Sequence, residues 1–147
     1  MKKELINSLL RTGNLRHRQV DKERVKSLIE SAKTNAEVAI QIEVNEKSAT
    51  LIFREIYESI RQLGEAILWI EGVEPVGVGS HGVSLDALKD LEIKNKIKLN
   101  YLDRFKKIRN DANYQGYRVS ISQAQEIILF WKECSIEIIN LIKKDYS

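Results

Sequence analysis

Apolar residues recur along this chain at spacings of three and four, and the strict alternation of a half-buried strand is almost absent. The strongest case lies between Glu46 and Glu71. There Ile52, Ile56, Ile60, Leu63, Ile67 and Ile70 follow one another at intervals of four, four, three, four and three. Such spacing draws one continuous apolar stripe along a helix of about seven turns. Arg54, Glu55, Glu58, Arg61, Gln62 and Glu65 fall on its opposite face.

The same reading predicts a short helix over Lys2 to Arg11, stopped before Gly13, and then a basic connection from Asn14 to Gln19. Asp21 is the expected N-cap of a second helix carrying Val25, Leu28 and Ile29, which resumes after a break near Thr34-Asn35 through Ala36, Ala39 and Ile40. Between Gly72 and Gly82 stand four of the seven glycines and the only proline, Pro75, so this stretch reads as a loop. A shorter helix around Leu85 to Leu91 follows. Next comes a basic helix over Lys96 to Asn113 that buries Tyr101, Leu102, Phe105, Ile108 and Ala112. Ser122 and Gln125 have capping-box spacing for a last helix to about Lys144, with Ala124, Ile127, Ile128, Trp131, Cys134, Ile138 and Leu141 inside. About five helices with short connections predict an all-α, up-and-down bundle. Residues 1–147 form a single domain in this reading, with 1–20 a peripheral helix and basic connector.

The composition allows such a core: 43% of the 147 residues are hydrophobic and 31% charged. A single cysteine, Cys134, excludes an internal disulfide and a cysteine-cluster zinc site. The longest apolar runs fall far short of the roughly 20 residues that span a bilayer. Glu4 interrupts any leader that Lys2 and Lys3 would start. A soluble, cytoplasmic protein without a membrane role is the expectation. The net charge of +3 conceals segregation: residues 1–33 carry +5, residues 34–93 carry −7 and residues 94–147 carry +5. Surfaces of opposite sign follow, one of them suited to phosphate.

Most motifs reduce to packing or connection. Gly77-Val78-Gly79-Ser80-His81-Gly82 has the spelling of a dinucleotide loop, but a long amphipathic helix precedes it and no βαβ unit is read around it. His17 and His81 have no partners at metal-ligand spacing, so neither a metal nor another cofactor is expected. Arg109 differs. It stands at the edge of the stripe marked by Ile108 and Ala112, with Asn113 one turn later and Arg104, Lys106, Lys107 and Arg118 around it. A guanidinium there can present its planar fork to phosphate. Alternatively it ties two helices together by pairing with Asp111, Asp103 or a glutamate of the long helix.

Three segments in order along the chain carry a family likeness: Arg54-Glu55-Ile56-Tyr57-Glu58-Ser59-Ile60-Arg61-Gln62-Leu63-Gly64-Glu65-Ala66, the later Ser80-His81, and Arg109-Asn110-Asp111-Ala112-Asn113-Tyr114. Together they resemble HEPN domains (higher eukaryotes and prokaryotes nucleotide-binding) over roughly residues 25 to 145. The resemblance implies a helical bundle, commonly a homodimer with two arginine motifs facing across a cleft. It also implies kinship with metal-independent ribonucleases and with toxins paired to a nucleotidyltransferase antitoxin. The family's catalytic pattern is an arginine, four to six residues, then a histidine. Arg109 and the polar Asn110 match its start, whereas the histidine position falls on Tyr114, Gln115 or Gly116. Losing a general acid–base group typically costs about 10²–10⁴-fold in rate.

The expected function is therefore RNA or nucleotide binding, with the toxin half of a toxin–antitoxin pair as one form of it. Arg109, Asn110, Asn113, Tyr117, Arg118 and Lys106 are the candidate phosphate and nucleic-acid contacts, and Tyr114 or Tyr117 offers a stacking surface. The first alternative is a metal-independent endoribonuclease using Arg109 with Asp111, Tyr114 or an auxiliary His81. The second is a structural, partner-binding bundle in which Arg109 is a strut.

Overall fold

Among the described residues, six α-helices and a small two-stranded ribbon build the fold. The computed structural model describes residues 1–77 and 80–146, and the side chains of all of these except Ser80, His81 and Tyr146. In order, α1 spans Lys3–Arg11, β1 Leu15–His17, α2 Lys22–Gln41, α3 Ala49–Glu71, β2 Val73–Pro75 and α4 Ser80–Lys89. A 3₁₀ turn over Lys96–Asn100 then leads into α5 at Tyr101–Tyr114, and α6 runs over Ile121–Tyr146. The fold is all-α, as the periodicity predicts. Among the described residues no helix is long and apolar enough to cross a membrane.

The stripe on α3 explains the architecture. Ile52, Ile56, Ile60, Leu63 and Ile67 are all buried, and α2, α4, α5 and α6 each pack against this helix. Phe105 of α5 meets Phe53 of α3 and Phe130 of α6 edge to face, with ring centroids 5.9 and 5.5 Å apart. Gly64 makes one approach possible: a Cβ there would stand 2.0 Å from the Ser84 carbonyl oxygen, so only glycine lets α4 lie this close. α3 ends at Gly72, whose φ of 69° supplies the left-handed cap.

Several boundaries differ from the periodic reading. The connection Asn14–Gln19 contains β1, and the Gly72–Gly82 loop contains β2. The two pair antiparallel, with Leu15 opposite Pro75, Arg16 opposite Glu74 and His17 opposite Val73. Three-residue strands show too little alternation to be seen, and their pairing depends on partners 58 residues apart. Val78 and Gly79 of that loop lie outside the described residues. α4 begins at Ser80 rather than near Leu85. α2 continues unbroken through Thr34-Asn35, because Ala32, Ala36 and Ala39 keep its buried face in register. Tyr101 is half exposed with its ring against Phe105 rather than buried.

The capping box of α6 is displaced by one overlapping frame. The Ser120 hydroxyl accepts from the Gln123 amide, and Gln123 Oε1 accepts from the Ser120 amide, at 3.1 and 3.0 Å. Val119 precedes the cap and is buried, as is Ala124, so the apolar pair flanking this frame decides between the two serines. Removing the right hydroxyl should therefore matter and removing the other should not. Ser120→Ala is expected to lower stability by about 1 kcal/mol, whereas Ser122→Ala should stay within about 0.5 kcal/mol. Paired urea denaturation curves check this.

Candidate functional site

α5 sorts the predicted residues onto two faces. Lys106, Arg109 and Asn113 are three and four residues apart and share one side; Asp111, two beyond Arg109, points elsewhere. Asp111, Tyr117 and Arg118 line a separate groove of about 210 Å³ with Ile108 and Val119. The structure thus splits the expected cluster, and Arg109 and Asp111 do not form a pair.

Arg109 stands against α3. Its guanidinium lies over the ring of Tyr57, 4.9 Å from the centroid, and its Nε is buried without a hydrogen-bond partner. Among the described residues it forms no ion pair. The carboxylates within its sequence neighbourhood have other partners. Asp111 pairs with Lys107 at 3.6 Å and Asp103 with Lys89 at 2.6 Å. Arg61 holds both Glu58 and Glu65, at 2.7 and 3.2 Å. The helix-to-helix ion pair that the sequence allowed for Arg109 does not occur.

Tyr57 is the residue that sequence reasoning missed. It is buried beside the α3 stripe, and its hydroxyl also lacks a well-aligned hydrogen-bond partner. Burial pushes its phenol above the usual range, while the Arg109 guanidinium, through hydrogen bonding and charge, and the charge of Arg61 pull in the opposite direction. The one available signal was a polar-tipped aromatic one position from Ile56, at the edge of an aliphatic run.

Lys106 extends this face toward α4. A Cβ on Gly82 would meet its Nζ at 2.9 Å, so the ammonium lies directly on the first turn of α4. His81 precedes that glycine in the chain; its side chain lies outside the described residues. A cation therefore meets a helix start here, an arrangement that favours anions. No ion pair engages Lys106 among the described residues.

The remaining predicted contacts sit apart or are engaged. Tyr114 and Tyr117 are 76% and 66% exposed, open enough to stack on a ligand. Asn110 is half-buried and Asn113 exposed. Arg118 gives Nη2 to the Glu46 and Lys47 carbonyls at 3.1 and 3.0 Å, fastening the loop after α5 to the start of α3. Val119 reinforces that junction by donating to Thr50 Oγ1 at 3.0 Å. Among the described residues, no group of three or more histidines, cysteines or carboxylates is arranged to hold a metal ion.

Comparison with protein-family models, curated proteins and solved structures finds no match to this chain.

The ring of Tyr57 lies beneath Arg109, whose guanidinium also acts on the phenol. Tyr57→Phe should change stability by less than about 1 kcal/mol, since the ring contact is kept. Tyr57→Ala should cost about 3–5 kcal/mol through the cavity it leaves. Thermal unfolding of the two variants separates these outcomes.

Proposed function

We propose that this chain is a HEPN-like helical protein that binds RNA or nucleotides through the α5 face of Arg109, Lys106 and Asn113. The observation that supports the reading is an arginine resting on an aromatic ring with no acid beside it. A guanidinium in that state keeps its charge and its donor fork for an incoming oxyanion, which suits a phosphodiester. Lys106 on the first turn of α4 adds a second positive charge on the same side. Exposed Tyr114, one position past Asn113, offers a ring to an unstacked base.

In this proposal the working form is a cytoplasmic homodimer with two Arg109 faces across a shared groove, and an acidic or nucleotidyltransferase-type antitoxin partner would shield it. A nucleolytic version finds support in Gly82, the neighbour of His81 in α4, lying against Lys106. That histidine, rather than Asp111, would then be the proton-handling group.

Fluorescence anisotropy with labelled single-stranded RNA over a salt series tests the reading. Wild type should bind with salt-dependent affinity, and Arg109→Ala should reduce the slope of log K against log salt by about 0.7. Equal, salt-insensitive binding by both proteins would remove the proposal. The same samples, kept metal-free, show whether RNA is cut. Cleavage lost in both Arg109→Ala and His81→Ala supports the nucleolytic version, and cleavage that survives Arg109→Ala ends it.

A further inference from the structure

The arrangement at Tyr57 recurs once more on α3. Near its C-terminal end the Arg18 guanidinium lies over Trp69, 3.5 Å from the ring centroid, and Arg24 approaches the same ring at 5.4 Å. Arg18 Nε, Arg18 Nη2 and Trp69 Nε1 are all buried without hydrogen-bond partners. Asp21, Glu23 and Glu74 are the acids lining this place, and Glu65 also acts on Arg18 through its charge. Glu74 reaches Arg18 Nη1 at 3.6 Å and is engaged more closely by Arg16. Arg18, Lys22, Asp21, Trp69 and Glu74 help line an open groove of about 490 Å³ here.

The two stacks are mounted on one strip. Tyr57, Arg61, Glu65 and Trp69 follow one another four residues apart along α3. The acids on the strip, Glu58 and Glu65, are both held by Arg61, which lessens their repulsion of an anion. Twelve residues of helix separate the two rings, a span of about 18 Å. At about 3.4 Å for each nucleotide of a stacked strand, that distance corresponds to about five nucleotides.

We propose that Arg18 and Arg24 on Trp69 form a second phosphate contact, so that a single nucleic-acid strand engaged at Arg109 continues past the half-buried Arg61 and Glu65 of α3 to Trp69. The inference rests on Arg109 being a phosphate contact and adds the length and path of the ligand. Two arginines, each fixed against an aromatic face, act as anchors whose combined affinity requires a ligand long enough to reach both. A mononucleotide or dinucleotide would use one anchor only.

Labelled single-stranded RNAs of two and twelve nucleotides, titrated by anisotropy against wild type, Arg18→Gln, Trp69→Leu and Arg109→Gln, test it. Circular dichroism melts confirm that each variant is folded. Wild type should bind the twelve-mer at least about ten-fold more tightly than the dinucleotide. Arg18→Gln should weaken the twelve-mer by about ten-fold and lower its salt slope by about 0.7, while leaving the dinucleotide unchanged. Trp69→Leu should follow it. If Arg109→Gln weakens both RNAs and Arg18→Gln weakens neither, the second contact is wrong and the Arg109 reading stands. If wild type binds neither RNA, both fall together.

Discussion

Everything in this protein is arranged around the burial of α3. Ile52, Phe53, Ile56, Ile60, Leu63 and Leu68 are fully or almost fully enclosed, and four other helices converge on them. A helix covered to that extent leaves only a narrow strip to solvent, and whatever stands on the strip must be matched or put to use. Arg61 matches Glu58 and Glu65 there. Tyr57 and Trp69 instead receive arginines from elsewhere in the chain, one from α5 and one from the segment after β1.

Those two contacts are poor investments for stability alone. A cation over an aromatic face contributes about 0.5–2 kcal/mol. A buried donor left without an acceptor costs about 1–3 kcal/mol. Arg109 leaves one such nitrogen and Arg18 two, so the cost matches the gain at Arg109 and exceeds it at Arg18.

The segregation of charge along the chain has the same origin. Lys106 and Arg109 come from the basic C-terminal third, and Arg16, Arg18 and Arg24 from the basic N-terminal segment. Both segments are brought against α3, which belongs to the acidic middle. The ribbon matters for this reason: pairing Arg16 with Glu74 and bonding the Arg18 amide to the Gly72 carbonyl at 2.8 Å carries the N-terminal cations to the end of α3. Without six residues of strand, Arg18 would have no reason to lie on Trp69.

The amino-acid order by itself determined the helical class, the α3 stripe, the Asp21 cap of α2 and the position of Arg109 at the edge of a buried face. These are local periodicities and short side-chain reaches, and each is complete within a few turns. Tertiary structure alone decided the rest. Ser120 and Ser122 both head an S-x-x-Q frame, and the burial of Val119 and Ala124 chose the first. Asp111, Asp103, Glu58 and Glu65 were all candidate partners for Arg109, and Lys107, Lys89 and Arg61 took them. Tyr57 and Trp69 gave no sign of their partners, because an arginine more than 50 residues away in sequence gives no local sign of where it will come to rest. Pairing between distant segments is settled by which surfaces the helices bury against one another, and no spacing along the chain encodes that.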